Sequence, residues 1–331
     1  MRSAVHKSPF TNRKSQMTNP VPFAKFHGLG NDWLVVGREG LPRALEKFSR
    51  AILDRHTGIG ADGLLVLMPA REPSHAARVR FFNADGSEAE MSGNGIRCAG
   101  AFLAELMPEE RTFLVETPAG LKSLEKVKAG EPTWLFRAGM GAPVLEPEKI
   151  PFKGKNAAAP VTRYELRTQK GPLAVTVTSM GNPHCSIFVE QFAASGVSPA
   201  GNRRSLGGVR ERPQGPPLQA ALAGDWEALG REIETSPLFP NRTNVEFVKV
   251  ISRREIAVRF WERGVGHTMS SGTGSCAAAV ASILNGLTER RVRVLTEAGV
   301  LEVDWPTNEE VTLTGPVERV GCGTYEFGGK P

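Results

Sequence analysis

Two short loops of this sequence carry residue types suited to acid–base chemistry. Each reads serine, glycine, any residue, glycine, starting at Ser92 and at Ser271, and each leads into an alanine-rich stretch. A glycine turn that feeds a helix exposes backbone N–H groups at the positive end of the helix dipole, where a carboxylate or phosphate can bind. Either loop alone is also typical of an ordinary helix N-cap, so the informative feature is the matched pair.

The two loops belong to an internal duplication. Around each, the chain runs from an apolar strand through a polar turn to the serine loop and a helix, and the two serines are 179 residues apart. Upstream, two Gly-Asn motifs ending at Asn31 and Asn182 are 151 residues apart. Since the spacings differ by 28 residues, the second half is predicted to hold an insertion before Ser271.

Composition locates this insertion and a second irregular segment. Residues 193–224 are rich in glycine, proline, serine and arginine without apolar periodicity, so they are predicted to be a disordered insertion. Residues 1–19 are basic and free of acidic residues, and they are predicted to be a flexible N-terminal extension. The expected location is cytoplasmic, and an organelle-targeting role for residues 1–19 stays open.

Bulk properties argue against several classes of function. The 331 residues are 40% hydrophobic and 23% charged, as in soluble globular proteins of two domains. The net charge of +6 arises in residues 1–20 and 193–224, so no nucleic-acid-binding face is expected. No apolar run approaches the roughly 18 residues of a membrane span. The four cysteines form no C-x-x-C pair, so no metal site is expected, and their use fits a reducing cytosol.

Predicted strands outnumber predicted helices, without a regular strand–helix alternation. The clearest strands are residues 173–178, 245–250, 256–261 and 291–294, and the helices are about 41–54, 94–106, 225–234 and 273–285. This pattern favours an α+β fold. A pseudo-two-fold relation of the halves would point both serine helices into one cleft between them. A ligand there would meet an acid–base group on each face, as inversion of a stereocentre requires.

Six motifs in order carry a resemblance to a known family. They read HGLGND at residues 27–32, GIGADG at 58–63, FNADGSE at 82–88 with GNGIRC at 93–98, MGNPHC at 180–185, RTNV at 242–245, and ERG at 262–264 with GTG at 272–274. These motifs resemble those of the diaminopimelate epimerases, over about residues 22–327 outside the insertion.

The resemblance implies two pseudo-symmetric α+β domains, each a mixed sheet or barrel wrapped around a central helix. The expected domains are residues 20–137 plus 316–331, and 138–315. The implied enzyme is an isomerase of lysine and peptidoglycan biosynthesis, which interconverts LL- and meso-diaminopimelate by two-base proton transfer at the α-carbon. No cofactor is implied, and the implied partner is the small-molecule substrate, with neither nucleic acid nor membrane. The assembly considered for this chain is a homodimer.

The resemblance also assigns roles by motif position. The family's two catalytic cysteines fall at Ser92 and Ser271, and His184 and Glu262 resemble the polar groups beside that catalytic pair. The substrate-binding positions are Asn31, Asn83, Gly93, Asn94, Asn182, Asn244, Glu262, Arg263, Gly272 and Thr273.

The sequence departs from the family at the catalytic pair, and this keeps other functions open. A serine hydroxyl is far less acidic than a thiol, so impaired activity is implied. Gly63 stands where the family often has glutamine, and His267 stands where it often has glutamate. One alternative is a related amino-acid isomerase or dehydratase with another substrate, which would use His184, Glu262 or His267 as base. The other is a non-catalytic amino-acid-binding homologue.

Overall fold

The computed structural model of the protein describes residues 20–128, 132–188, 226–307 and 309–327. The predicted extension (1–19) and the predicted insertion (193–224) lie outside these ranges, and both stay predictions. The helices of the described ranges are α1 (Leu45–Leu53), α2 (Gly93–Leu106), α3 (Trp226–Glu234) and α4 (Gly272–Leu284). Each corresponds to a helix predicted from the sequence, with ends within four residues.

The first half of the chain forms a closed ring of strands. Its strands are β1 (Val21–Gly28), β2 (Asn31–Gly37), β3 (Gly63–Met68), β4 (Ala77–Asn83), β5 (Glu88–Ala89), β6 (Thr112–Thr117), β7 (Gly120–Lys128) and β8 (Thr133–Gly141). Hydrogen bonds run in the order β1, β2, β3, β4, β6, β7, β8. The last described strand, β17 (Val311–Tyr325), pairs with both β8 and β1 and closes an eight-stranded mixed barrel within the described residues.

The second half repeats this pattern pairing by pairing. Its strands are β9 (Val161–Thr168), β10 (Gly171–Ser179), β11 (Pro183–Phe188), β12 (Asn244–Ser252), β13 (Glu255–Glu262), β14 (Gly266–Thr268), β15 (Arg291–Thr296) and β16 (Gly299–Asp304). The pairs β11–β12 and β13–β15 are parallel, as are β2–β3 and β4–β6 in the first half. Beyond β8, Val144 bridges Ser179 of β10 and completes the second ring. The duplication inferred from the serine loops is therefore present in the sheet.

Each ring encloses one helix built largely from small residues. Helix α2 contacts β1, β2, β3, β7, β8 and β17, and α4 contacts strands β10 to β13 and β15 to β17. The α4 sequence GTGSCAAAVASIL is apolar on every side, which is typical of a helix buried all round. Alanine, glycine and serine keep the helix thin enough for a ring of strands to close around it. Helices α1 and α3 pack outside the rings, against β3–β4 and β12–β13.

The two enclosed helices meet head to head at their first residues. A Cβ atom added to Gly272 would lie 2.9 Å from the Cα of Gly93, and one added to Gly93 would lie 3.0 Å from the Cα of Gly272. Contacts below 3.0 Å are essentially never made by real Cβ atoms. Position 272 therefore requires glycine for the helices to approach so closely, and a side chain at position 93 would need its neighbours to shift by a few tenths of an ångström.

Strands β8 and β17 belong to both rings. The domain boundaries expected from the sequence, at 137/138 and 315/316, fall inside these two strands. One continuous apolar core fills both rings and includes Phe26, Ile96, Ala278 and Leu313. No helix within the described ranges is long and apolar enough to cross a membrane.

A charged network joins β1, β2 and the turn before β3. Asp32 accepts hydrogen bonds from both terminal nitrogens of Arg55, at 3.2 and 2.8 Å, and forms an ion pair with Lys25 at 2.8 Å. The backbone N–H of Asp62 donates to Asp32 at 2.9 Å. Burial alone would raise the pKa of Asp32, but the hydrogen bonds from Arg55 and Lys25 outweigh burial and lower this pKa to about 2.

We expect Gly272→Ala to destabilise the protein by about 1–3 kcal/mol, because the added methyl group forces the two helix ends apart. The free energy of unfolding measured in urea tests this. Gly321→Ala is the matched control, since nothing lies within 4 Å of a Cβ at this position, and it should change stability little. Equal stability of Gly272→Ala and the unaltered protein would contradict the close contact.

We expect Asp32→Asn to lower the free energy of unfolding by about 1–2 kcal/mol near pH 7. The pKa of Asp32 is about 2 in the folded state, whereas an aspartate in the unfolded chain has the ordinary value of 3.8. The stabilisation is therefore complete above about pH 4 and is lost as the pH falls towards 2. Unfolding curves at several pH values should show the two proteins converging in acid. The control Asp304→Asn, on β16, removes a carboxylate outside this network and should change the free energy of unfolding little.

Candidate active site

The two serines of the sequence motifs are the N-caps of the enclosed helices. Ser92 and Ser271 both have extended backbone, and their side chains accept hydrogen bonds from the N–H of Gly95 at 3.1 Å and of Gly274 at 3.3 Å. This is the usual way in which an N-cap satisfies a free N–H of the first turn. Because the helix ends touch, the two N-cap serines lie at the same junction.

The surroundings of the two serines differ. Ser271 is buried, and its hydroxyl also donates to a carboxylate oxygen of Glu262 at 3.2 Å. The other oxygen of Glu262 accepts from Thr268 at 2.6 Å. Ser92 is half-buried, and within the described residues its hydroxyl has only the hydrogen bond from Gly95. One serine is therefore coupled to an acid–base group and the other is not.

Burial tunes the carboxyl group of Glu262. Removal from water raises the pKa of Glu262, and the hydrogen bonds from Thr268 and Ser271 offset part of that rise. A carboxyl group with a raised pKa exchanges protons nearer to neutral pH than an exposed one. Glu262 can therefore serve either as a proton donor or as a proton acceptor.

His184 lies in a buried polar cluster on β11 and β12. Its Nδ1 is 2.6 Å from Oε1 of Glu246, and its Nε2 is 2.8 Å from Oδ1 of Asn182. The second oxygen of Glu246 accepts from Ser186 at 3.3 Å. The parallel register sets Ser186 opposite Glu246, so the strands themselves align these partners. The cluster fixes the ring of His184 in one orientation.

Asn244 and Arg263 are joined beside this cluster. The side-chain oxygen of Asn244 accepts from the backbone N–H of Arg263 at 2.9 Å, and its amide nitrogen donates to the carbonyl of Pro183 at 3.2 Å. The exposed side chain of Arg263 donates to the carbonyl of Asn241 at 3.0 Å. Within the described residues the guanidinium of Arg263 has no carboxylate partner, so its charge is available to an anion.

The first half contributes Asn31 and Asn83. Asn31 donates to Asp62 at 3.0 Å and accepts from the indole N–H of Trp33 at 2.6 Å. Asn83 donates to the hydroxyl of Ser87 at 2.9 Å. Asn31 and Asn182 thus begin or precede corresponding strands of the two halves, β2 and β11.

Four further positions from the sequence motifs lie at the helix junction. Gly93, Asn94, Gly272 and Thr273 form the first turns of α2 and α4. Asn94 is 5% exposed, and its side-chain oxygen accepts from Arg97 rather than facing solvent. The free backbone N–H groups of both first turns are therefore concentrated where the helices meet.

The two departures from the family pattern have separate structural explanations. A Cβ at Gly63 would lie 2.3 Å from the ring of Trp33, so the indole fills the space that a side chain at position 63 would need. His267 contacts Glu297 at 3.1 Å and stacks edge-on against Trp226. The base hydrogen-bonded to Ser271 is Glu262, not His267.

The cysteines of the two enclosed helices are not suited to acid–base chemistry. Cys98 and Cys276 are completely buried, and burial raises the pKa of each thiol to about 12, against a smaller opposing effect of Arg97. Thiols of this kind stay protonated and unreactive near neutral pH.

Several polar partners at the site were missed from the sequence. Glu246, Asp62 and Thr268 each hold a motif residue in place. Glu246 left a signal, since it is an acid within the apolar run of β12, where burial demands a partner. Among the described residues, no group of three or more histidine, cysteine and acidic side chains is arranged to hold a metal ion.

Structural neighbours support the fold. A hydroxyproline epimerase from Agrobacterium vitis has a TM-score of 0.64 and 15% identity, over 94% of this chain and 92% of that chain. A probable proline racemase from Agrobacterium radiobacter K84 has a TM-score of 0.62 and 17% identity, over 92% of both chains. At these identities the similarity concerns the fold alone.

Sequence comparison is more specific. The diaminopimelate epimerase from Pelotomaculum thermopropionicum is 41% identical over 309 residues, which covers 92% of this chain and 99% of that protein. The diaminopimelate epimerase from Moorella thermoacetica is 39% identical over 307 residues, with 92% and 98% covered. The family model of diaminopimelate epimerase matches residues 23–146 and 176–320. The chain therefore belongs to the diaminopimelate epimerase family.

Proposed function

We propose that this protein binds diaminopimelate between its two serine loops and interconverts the LL and meso forms without a cofactor. The observation that carries this proposal is the contact of the two helix ends at Gly93 and Gly272. Because of this contact, one small α-carbon can have a hydroxyl on each face. Membership of the family supports the choice of diaminopimelate. This activity belongs to lysine and peptidoglycan biosynthesis, and a cytoplasmic homodimer is part of the same proposal.

The substrate's α-carboxylate would bind at the helix ends. The N–H groups of Gly93, Asn94, Gly272 and Thr273 lie in the first turns, where free donors and both helix dipoles favour an anion. A carboxylate held by such donors draws charge from the α-carbon as its proton leaves. The two helices would therefore bind the substrate and stabilise the developing charge.

The serines would exchange the α-proton, and they would do so slowly. A hydroxyl is a weak base at neutral pH and needs a partner to accept its proton. Ser271 has this partner in Glu262, at 3.2 Å, and His184 would support the same side of the site. Ser92 has none among the described residues. Proton removal should therefore be easier on the Ser271 face than on the Ser92 face.

The far end of diaminopimelate is a second amino-acid group, which needs partners of both charges. Arg263 can pair with its carboxylate, and the carboxylate of Glu262, beside Ser271, can accept from the ammonium group at the reacting end. Four side-chain amides are further candidates for hydrogen bonds to the substrate: Asn31, Asn83, Asn182 and Asn244.

The unsupported hydroxyl of Ser92 also favours a second function, which is amino-acid binding without inversion. Inversion needs an acid–base group on each face, and among the described residues only the hydroxyl of Ser271 has a carboxyl partner. Incubation with LL-diaminopimelate in D₂O separates the two functions. Deuterium at the α-carbon together with the meso product supports epimerisation, whereas binding without exchange supports the second function.

We expect the double change Ser92→Cys plus Ser271→Cys to raise epimerisation by several orders of magnitude. Thiols at these helix N-termini should have lowered pKa values and supply the thiolate that a hydroxyl cannot. Either single change should give far less activity, since inversion uses both groups as a unit. Formation of meso-diaminopimelate measures the rate. If the double variant folds and binds the substrate but epimerises it no faster than the unaltered protein, the epimerase proposal is wrong.

We expect Arg263→Ala to weaken diaminopimelate binding by at least about tenfold, because a carboxylate would lose its charged partner. Calorimetric titration measures the affinity. Arg291→Ala is the matched control, since the exposed side chain of Arg291 on β15 pairs with Glu302 on the neighbouring strand β16. If both variants bind equally well, Arg263 lies outside the substrate site.

A further inference from the structure

Arg97 is an arginine sealed inside the protein. It is 0% exposed and lies on the second turn of α2. Its terminal nitrogens donate to the carbonyl of Gly93 at 2.8 Å and to Oδ1 of Asn94 at 2.7 Å. Its Nε has no hydrogen-bond partner among the described residues. The guanidinium thus folds back onto the first turn of its own helix.

Two glycines from distant parts of the chain leave room for this guanidinium. A Cβ at Gly28 on β1 would lie 3.1 Å from Nη2 of Arg97, and one at Gly315 on β17 would lie 3.2 Å from its Cζ. The backbone of both strands therefore packs directly against the charged group. The site is shaped around an arginine by strands from both ends of the fold.

No carboxylate of the described residues balances the charge of Arg97. Within the described residues Arg97 takes part in no ion pair, and the titratable groups that act on it are the thiols of Cys98 and Cys276. Both thiols are neutral near pH 7, since burial raises their pKa to about 12. Burial lowers the pKa of Arg97 to about 10, so the guanidinium still carries its proton. A buried charge without a counter-charge is strongly unfavourable.

The position of this charge makes the arrangement more unfavourable still. A long helical side chain points towards the N-terminus of its helix, which is the positive end of the dipole. The guanidinium therefore adds positive charge to the end of α2, which already faces the positive end of α4. A bound anion would offset the charge of the guanidinium and the positive ends of both helices.

We propose that Arg97 is a positioning residue for the substrate's α-carboxylate, which is the counter-charge that the buried guanidinium lacks. Arg97 holds the side chain of Asn94 and the first turn of α2, and it makes the junction of the two helices electropositive. The identity of the anion as an amino-acid carboxylate rests on the proposed function. The electropositive field is a property of the protein itself and can be measured without substrate.

A thiol at position 92 can report this field. In a Cys322→Ser background, which removes the exposed thiol, Ser92→Cys introduces a reporter at the N-cap of α2. The rate of its alkylation by iodoacetamide, measured against pH, gives its pKa. Adding Arg97→Met should raise the pKa of the introduced thiol by about 1, which corresponds to roughly tenfold slower alkylation at low pH. Adding Arg291→Met, a remote charge removal, should leave this pKa unchanged.

Two conservative variants separate charge from packing. Arg97→Gln keeps a donor for Asn94 without the charge, and it should match Arg97→Met. Arg97→Lys keeps a positive charge and should recover part of the lowered pKa. If Arg97→Gln instead behaves like the unaltered residue, Arg97 acts through its hydrogen bonds alone and the proposal is wrong. If Arg97→Met does not fold, the pKa of the introduced thiol in Arg97→Gln provides the test instead.

Substrate binding provides the second measurement. Without the reporter, Arg97→Met and Arg97→Gln should each weaken diaminopimelate binding by about tenfold in calorimetric titration. Unchanged affinity in both variants would show that Arg97 does not help to bind the substrate's α-carboxylate. If the unaltered protein does not bind diaminopimelate, the proposed function fails, whereas the thiol titration still decides whether Arg97 provides the field.

Discussion

Two helix N-termini in direct contact are the constraint on which the rest of the structure depends. Gly93 and Gly272 let the first turns of α2 and α4 touch, although both ends are positive. Each helix is held there by a ring of strands, and the rings share β8 and β17. The fold thus holds two like poles together, and the anion site that we propose lies where they meet. Buried Arg97 adds to the same sign of charge.

The site is symmetric in its backbone and asymmetric in its chemistry. Both serines cap their helices in the same way, but only Ser271 is linked to a carboxyl group of raised pKa. The asymmetry arises from the second half, where Glu262 ends β13 and Thr268 ends β14. In the first half the equivalent strands β4 and β5 end at Asn83 and Ala89. One backbone plan therefore supports two different acid–base environments.

Sequence reasoning recovered the local features and missed those that depend on distant pairing. The duplicated loops predicted helices α2 and α4, and apolar patterning predicted α1 and α3, because turn chemistry and patterning are local. The partner of His184 could not be read in the same way, since Glu246 is aligned with it only by the register of β11 on β12. The burial of Arg97 could not be predicted from the sequence either. An arginine four residues into a helix is usually exposed, and only ring closure buries it.

The shared strand β17 also determines when the protein can fold during its synthesis. β1 and β8 stay open edges until residues 311–325 arrive, because β17 is the strand that joins them. A ribosome adds roughly 5–20 residues per second, so the nascent first half waits for many seconds with two unpaired edges. Exposed edges invite pairing with other chains. The arrangement that unites the two halves therefore leaves the growing chain open to edge-to-edge pairing until residues 311–325 are made.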